Sequence, residues 1–448
     1  MLTANDAVEL ADRGRKDAAP EWARLGYLTR YARGKQKGPW LPDSAETEYR
    51  DIAKKSASNW LDLVIRSTSQ GLYVVGYGDR SNEPRVWDEG WQRNGLDARQ
   101  HALYRAVLTH GYAFTVTMPA DDGGVWCRPD SATNVFAYYE HPGDDWASWA
   151  VREVRKGVVE LYDAEARYTI EGREVTVTSH PFGVCPVVRV SRAIDLLGPP
   201  MGEIEPVIPI QDRIVDATFN LQMAAKYGAF PQRWIAGLDP SAPLTDDTGQ
   251  PLRDDDGNLI YPKIKAYVDS ILTATDKDTK FGQFTAADLG NFVEALETHI
   301  RHLAAITQTP PHYLLGSLVN LSAEALAAAE AGLQRKIREV REVIGEGLEQ
   351  TMRLMAVAIG DEAAAADETS RVRWLDIESR SFAQVADALV KLDTIGTPKR
   401  KLFEMVPGWT DDDVTEAVAE MRTDMALAAF GELTTPTVPT VPTVPPAA

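Results

Sequence analysis

The stretch TPPHYLLGSLVNLSAEALAAAEAGL, Thr309 to Leu333, decides how this chain is read. Pro310 and Pro311 resist helix and Gly316 allows a bend, so Thr309 to Leu321 reads as an irregular loop. Leu314, Leu315, Leu318 and Val319 make that loop more apolar than a free surface loop needs, and His312, Tyr313 and Ser317 show no catalytic spacing. Asn320 or Ser322 can then cap a helix. From there Leu326, Ala329, Leu333, Ile337, Val340, Ile344, Leu348, Met352 and Met355 recur in steps of three or four, which marks one continuous buried face. A helix over 322–358 would run roughly 55 Å. Gly332, Gly345 and Gly347 each weaken it by about 1 kcal/mol relative to alanine, and a kink is expected at Gly345 and Gly347.

Upstream of the loop, Leu289, Phe292, Val293, Leu296, Ile300 and Leu303 stripe a helix from Ala286 to Gln308. Before it, LDPSAPLTDDTGQPLRDDDGNLIYPKI (238–264) carries Asp246, Asp247, Asp254, Asp255 and Asp256 among prolines, with turn signals at Thr248-Gly249 and Asp256-Gly257. It reads as hairpins between two helices, the first of which has Val207, Gln211, Ile214, Thr218, Leu221 and Ala225 on one face and closes at Gly228. From Tyr112 to about Val190 the period changes to two. YAFTVTM, NVFAYYEH, SWAVREVR, VVELYDA, RYTIE and EVTVTS are short, rich in Val, Tyr and Thr, and divided by Gly, Asp and Pro clusters, an antiparallel β region. The first 110 residues read as helices. One runs from Asp43, as N-cap with Glu46, through Trp60 to Gly71, and another from Leu96 to His110. The first 20 residues read as a solvated end in preference to a partner-binding arm. Downstream come helices at 381–392 and 411–430, the latter opened by a Thr410–Asp413 capping pair, then the repeat TTPTVPTVPTVPPAA, read as extended and disordered. The fold class is α+β, mostly helical, with a small antiparallel β region and a long kinked helix.

The 448 residues include 47 Lys and Arg against 66 Asp and Glu, a formal charge of −19. Conventional DNA-binding domains show the opposite balance, because neutralised phosphates supply most of their affinity. Acidity serves solubility first, and it also suits a surface past which a polyanion slides without sticking. No apolar run approaches the roughly 18 residues of a membrane helix, so an intracellular soluble protein without membrane association is expected. Cys127 and Cys185 read as two buried reduced thiols.

Chemistry finds little foothold. GxxxxGK[ST], GxGxxG and GxSxG are all absent. His299 and His302 stand three apart, with no glutamate between them, so a zinc site is not expected. Asp254, Asp256 and Asn258 fit alternate calcium-loop positions, but Leu259 and Lys265 occupy the places where glycine and glutamate are required. A solvated acidic turn is the preferred reading, and no metal, cofactor or catalytic residue is assigned. A hydrolase built on Asp254 to Asp256 stays as a rival.

In layout and local sequence the chain resembles the portal proteins of tailed bacteriophages, with particular likeness to those of long-tailed phages of actinobacteria. Five stretches carry the resemblance: SNWLDLVIRSTSQGLYVVGY (58–77), WQRNGLDARQHALYRAVLTHGYAFTVT (91–117), FGVCPVVRV (182–190), TPPHYLLGSLVNLSAEAL (309–326) and LFEMVPGWTDDDV (402–414). The resemblance implies a non-enzymatic ring, commonly of twelve copies, at the capsid vertex. Double-stranded DNA would pass through its channel, and major capsid protein, terminase and head–tail adaptor proteins would be its partners. It implies a wing over 1–200, helical to 111 and β-rich over 112–200, and stem helices at 203–228 and 286–308 flanking a clip-like insert at 229–285. A tunnel loop at 309–321 would face DNA through Pro310 to Asn320. The long helix at 322–358, a wing return at 359–410, a short crown-like helix at 411–431 and a tail at 432–448 complete the assignment. A ring subunit contacts its neighbours head to tail. Ala325, Ala328, Ala329 and Gly332 would let neighbouring backbones approach closely, although the alanines serve helix propensity equally well. The apolar loop residues would pack against neighbouring loops or brush the DNA grooves. Another capsid-associated scaffold or adaptor, oligomeric but without a channel, is the remaining alternative.

Overall fold

The computed structural model describes residues 1–44, 46–78, 83–228, 233–236, 243, 245–246, 248–261, 280–283, 288–316, 323–376, 382–406, 409 and 411–434. In chain order, α1 (Ala4–Ala32), α2 (Thr47–Ser56) and α3 (Trp60–Ser69) lead to β1 (Val74–Tyr77) and α4 (Leu96–His110). The strands β2 (Tyr112–Pro119), β3 (Val125–Asp130), β4 (Val135–Tyr138), β5 (Trp149–Arg155), β6 (Val158–Tyr162), β7 (Ala166–Glu171), β8 (Glu174–Ser179) and β9 (Val187–Ser191) follow. Then come α5 (Ile208–Gly228), the ribbon β10 (Arg233–Ala236) and β11 (Lys280–Gln283), α6 (Leu289–Thr307), α7 (Pro311–Leu315) and α8 (Ala323–Ile359). The chain closes with α9 (Glu362–Ala366), β12 (Val372–Trp374), α10 (Phe382–Thr394), α11 (Lys399–Phe403) and α12 (Asp411–Thr434). The fold is α+β and mostly helical. Its contacts divide it into two compact units, one of residues 1–70, 101–116 and 129–344, the other of 71–100, 117–128 and 345–448.

In the first unit a five-stranded antiparallel sheet, β4-β5-β6-β7-β8, carries its apolar residues inward on alternate positions. Ala166, Tyr168 and Ile170 of β7 join Val151 and Leu161 in a core with Ala7 and Ala11 of α1. The N-terminus is therefore not a solvated end. Thr3 accepts from Asp6 N at 3.3 Å while the Asp6 carboxylate accepts from Thr3 N at 3.3 Å, a reciprocal cap that starts α1 on the sheet. Gly14 lets the helix sit close, since a Cβ there would lie 2.7 Å from the Trp149 ring. β2 pairs antiparallel with β9 from Tyr112↔Ser191 to Val116↔Val187. The long helix expected from Asp43 to Gly71 is instead two. α2 ends at Ser56 and α3 begins after Asn59, whose side chain accepts from Asp62 N at 3.2 Å. An internal cap outcompetes continuity there. Asp43 does not cap α2: its backbone carbonyl accepts from Arg50 at 2.6 Å, and Glu46 precedes the helix with no side-chain cap.

In the second unit β1 and β12 pair across a bulge between Val74 and Gly76. Gly76 leaves room there for the Arg373 guanidinium, which a Cβ would approach to 1.9 Å unless the arginine moved. Buried Gln100 closes both polar groups of Val74, accepting its N–H at 2.8 Å and donating to its carbonyl at 3.3 Å. The stacked pair Trp87 and Trp91, 5.5 Å apart, occupies a π-helical turn over Trp87–Gln92. Both cysteines are free and buried, and burial raises the thiol of Cys127 to about 11 and that of Cys185 to about 12. No helix among the described residues is long and apolar enough to cross a membrane.

Candidate functional site

α5 and α6 lie along each other. Their chain-adjacent ends lead into and out of the antiparallel ribbon β10·β11, so the helices run antiparallel. The ends away from the ribbon meet the body of the first unit. At the start of α5, Gly202 presses on α4, since a Cβ there would stand 2.1 Å from the carbonyl oxygen of Thr109. Arg24 of α1 pairs with Glu205, just ahead of α5, and with Glu21 at 2.7 Å. The Tyr112 hydroxyl donates to Glu21 at 2.8 Å. Burial pushes the Glu21 carboxyl up, but the bonds from Arg24 and Tyr112 outweigh it and hold the group below its ordinary value. Gln211, fully buried on α5, accepts from Trp60 N at 3.3 Å and donates to the Ser58 carbonyl at 2.6 Å, which closes the gap between α2 and α3.

At the end of α6 the chain turns sharply. Gln308 takes φ 52°, the single non-glycine residue with positive φ among the described residues. Gln308 N donates to the Ala305 carbonyl at 3.4 Å and Thr309 N to that of Ala304 at 3.0 Å, the bond pattern of a Schellman cap. The last carbonyl of the helix, Thr307, has no helical donor and is met by the Lys336 ammonium at 2.6 Å. Lys336, on α8, is 8% exposed and also bonds Glu203 at 2.6 Å; Glu203 is 4% exposed. Thr68 of α3 donates to the same Glu203 oxygen at 2.9 Å. Four segments thus converge on one buried ion pair.

Beyond Thr309 the chain was expected to stay irregular, yet Pro311 to Leu315 form a helical turn. Pro311 occupies the first helical position, where its missing N–H costs nothing and its fixed φ suits the helix. Pro310 and Leu314 are buried, His312 and Leu315 half-buried, and Pro311, Tyr313 and Gly316 exposed. Tyr313 stands 3.4 Å from Glu330 of α8, and the His312 and Tyr313 rings meet edge to face at 4.6 Å. Ser317, Leu318, Val319 and Asn320 lie outside the described residues, as do Asp247, Thr410 and the proline repeat. Ala328 is exposed, Ala329 half-buried, and open space surrounds the place a Cβ would take at Gly332; the Ala325 side chain is outside the described set. α8 is one helix through Gly345 and Gly347.

The acidic residues of the insert serve their own turns. Asp246 accepts from Thr248 N at 2.9 Å and Gln250 N at 2.9 Å, and Asp254 from Asn258 N at 2.8 Å, while Asp255 and Asp256 are exposed. No group of three or more potential metal ligands occurs among the described residues. The cleft of about 480 Å³ beside α1 is lined by Pro20, Tyr112, Phe114, Phe136, Tyr139 and Arg189 with Asp17, Glu21 and Arg24. Sequence reasoning missed Arg24, Glu203, Glu205, Gln308 and Lys336. The available signal was Lys336 itself, a lysine lying on the apolar stripe between Leu333 and Val340.

Residues 30–426 match the model of the phage portal protein family, SPP1 Gp6-like. The chain belongs to the phage portal protein family. It is 27% identical over 366 residues to the portal protein of Mycobacterium phage D29, covering 74% of this chain and 71% of that one. Identity to the portal protein of Mycobacterium phage L5 is 29% over 359 residues, with the same coverage. Both relatives come from phages of actinobacteria, as the resemblance implied. Among solved structures, a chain in the neck of a native gene transfer agent particle, computed with C12 symmetry, aligns at 13% identity and TM-score 0.46, over 86% of this chain and 99% of that one. A chain in the virion of the native particle aligns at 13% identity and TM-score 0.45, over 86% and 100%.

Proposed function

We infer that this chain is the subunit of a portal ring at one vertex of a phage capsid. The ring is the channel through which double-stranded DNA is packaged and ejected, and the point where the packaging motor and the tail connector attach. Family membership over residues 30–426 carries this reading. Twelve copies close the ring; major capsid protein surrounds it, terminase docks during packaging and head–tail adaptor proteins replace it. Assembly takes place in the host cytoplasm, and the mature protein resides in the virion. The work is structural, with DNA as cargo and no chemistry performed on it.

Within the subunit, α5 and α6 serve as the stem and 229–285 as the clip that meets the motor. Residues 1–200 and 359–410 form the wing, 411–431 a small crown-like helix. The loop 309–321 projects toward DNA, with Pro310 to Asn320 as its channel-facing residues. Support comes from its place directly after a stem helix and from the exposure of Pro311, Tyr313 and Gly316 on an otherwise anchored turn. The exposed Ala328 and the open space at Gly332 suit close approach of a neighbour along the first turns of α8. In this reading Gly345 and Gly347 are where α8 would bend. Negative-stain imaging of the purified chain tests the reading. A rotationally symmetric ring with a hole wide enough for B-form DNA is expected, and Gly332→Leu should abolish it while leaving a folded monomer. Oligomers without a hole would favour a scaffold or adaptor and overturn the channel.

A further inference from the structure

We propose that Lys336 and Glu203 are positioning residues for the channel loop, fixing the point at which the chain leaves the second stem helix. The inference rests on the portal reading for its functional consequence, but its geometry stands alone. A helix ends with carbonyls that lack donors. At the end of α6 the Schellman bonds serve Ala304 and Ala305, and of the two carbonyls left without a helical donor, Ile306 and Thr307, the last sits at the negative end of the helix dipole. Lys336 Nζ reaches that carbonyl at 2.6 Å, a cation placed where both the lone pair and the dipole favour it. The ammonium is itself held by Glu203 at 2.6 Å, and Glu203 by Thr68 at 2.9 Å and, through its backbone N–H, by the Leu108 carbonyl at 2.8 Å.

An ion pair so deeply buried is a poor device for stability, since desolvating both charges consumes most of their attraction. What it fixes is geometry. Leucine or methionine at these positions would fill the space as well, but neither donates to Thr307. The Thr307 hydroxyl continues the network to Thr309 at 2.9 Å, and Pro310 begins the turn that becomes the loop. The register of the loop base is thereby tied to α8 on one side and to α3 and α4 on the other, instead of resting on the left-handed Gln308 alone. A displacement of the stem end must then break this network or carry the loop with it.

The same chemistry separates anchoring from packing. Lys336→Met alone strands the buried Glu203 carboxylate and should lower the melting temperature. The double variant Glu203→Leu/Lys336→Met removes both charges and should melt close to the unaltered chain. Hydrogen exchange of amides 307–316, followed in unassembled monomers, should nonetheless accelerate at least tenfold in the double variant, with amides of β5 to β7 unchanged. Rings built from it should form, but heads carrying them should package at least tenfold less DNA. Exchange and packaging both at the unaltered level would overturn the proposal. The monomer measurement is independent of assembly, so a fast-exchanging loop base in a chain that never forms rings would sustain the anchor and sink the portal reading instead.

Discussion

Gln308 shows how a single backbone conformation sits at the centre of the site. The left-handed C′ position of a Schellman cap favours glycine, and a side-chain-bearing residue there costs about 1 kcal/mol. Gln308→Gly should therefore raise stability by roughly that amount in a urea titration, and Gln308→Val should lower it by more. If the glycine variant were less stable, the cap would not be the strained element. His110 offers the matching test of pH. It is buried against Arg24, Glu21 and Arg33, and its Nε2 lies 2.8 Å from the Thr29 hydroxyl. Burial first, and the Arg24 charge second, push its pKa down to about 4. The folded chain keeps this imidazole neutral while the unfolded chain protonates it below its ordinary value of about 6.5. Its contribution is thus complete above that pH and is lost as pH falls toward 4, by about 2 kcal/mol at pH 5. Denaturation curves at pH 7 and pH 5 should show that loss, and His110→Gln should remove it. Neither feature was legible in the sequence. A glutamine inside a helical pattern carries no mark of positive φ, and a histidine at a helix end reads first as a dipole partner.

Among elements, legibility followed the strength of the apolar signal. Strands β4 to β8 are short and rich in Val, Tyr and Thr, and the sequence pattern located each of them. The α5 and α6 helices showed stripes of Ile, Leu and Val. α1 did not over its first half: the buried residues there are Ala7, Ala11, Gly14 and Ala18, too small to register as a hydrophobic stripe, and Leu25, Leu28 and Tyr31 follow only toward its end. The smallness of the first four is the mechanism of packing, because it lets the helix backbone lie against the Trp149 and Tyr168 rings. Two glycines of this helix then predict opposite outcomes for one substitution. Gly14→Ala places a methyl 2.7 Å from the Trp149 ring, which is itself stacked on Tyr138 at 5.3 Å, and should cost about 1–3 kcal/mol. Gly26→Ala meets nothing within 4 Å and should gain about 1 kcal/mol of helix propensity. Thermal melts of the two variants, shifted in the same direction, would show that α1 does not dock on the sheet this way. The division of 43–71 into α2 and α3 was equally hidden, since the helical spacing of Ile52, Ser56 and Trp60 continues straight through the Asn59 cap.

For the whole molecule, what sequence revealed was order more than contact. Five local stretches in the right succession identify the family, whereas the ion pair Lys336–Glu203 joins residues 133 apart and leaves no local trace. Net charge is legible directly, and its consequence is the most general test of the proposed role. A channel that passes DNA must not hold it, and protein–DNA affinity at moderate salt comes mainly from released counterions. With 66 acidic against 47 basic residues, the assembled ring should show no retention of a threaded or free duplex at about 0.1 M salt, and little change in binding between about 50 and 200 mM. Fluorescence anisotropy of a labelled duplex against purified rings measures both. Tight binding with a steep salt slope would mean a basic lining drawn together despite the overall charge, and a DNA grip in place of a conduit. The flat response expected here also predicts that lysine substitutions at exposed loop positions such as Tyr313 slow packaging while leaving ring assembly intact, because each added cation gives the moving phosphates a place to rest.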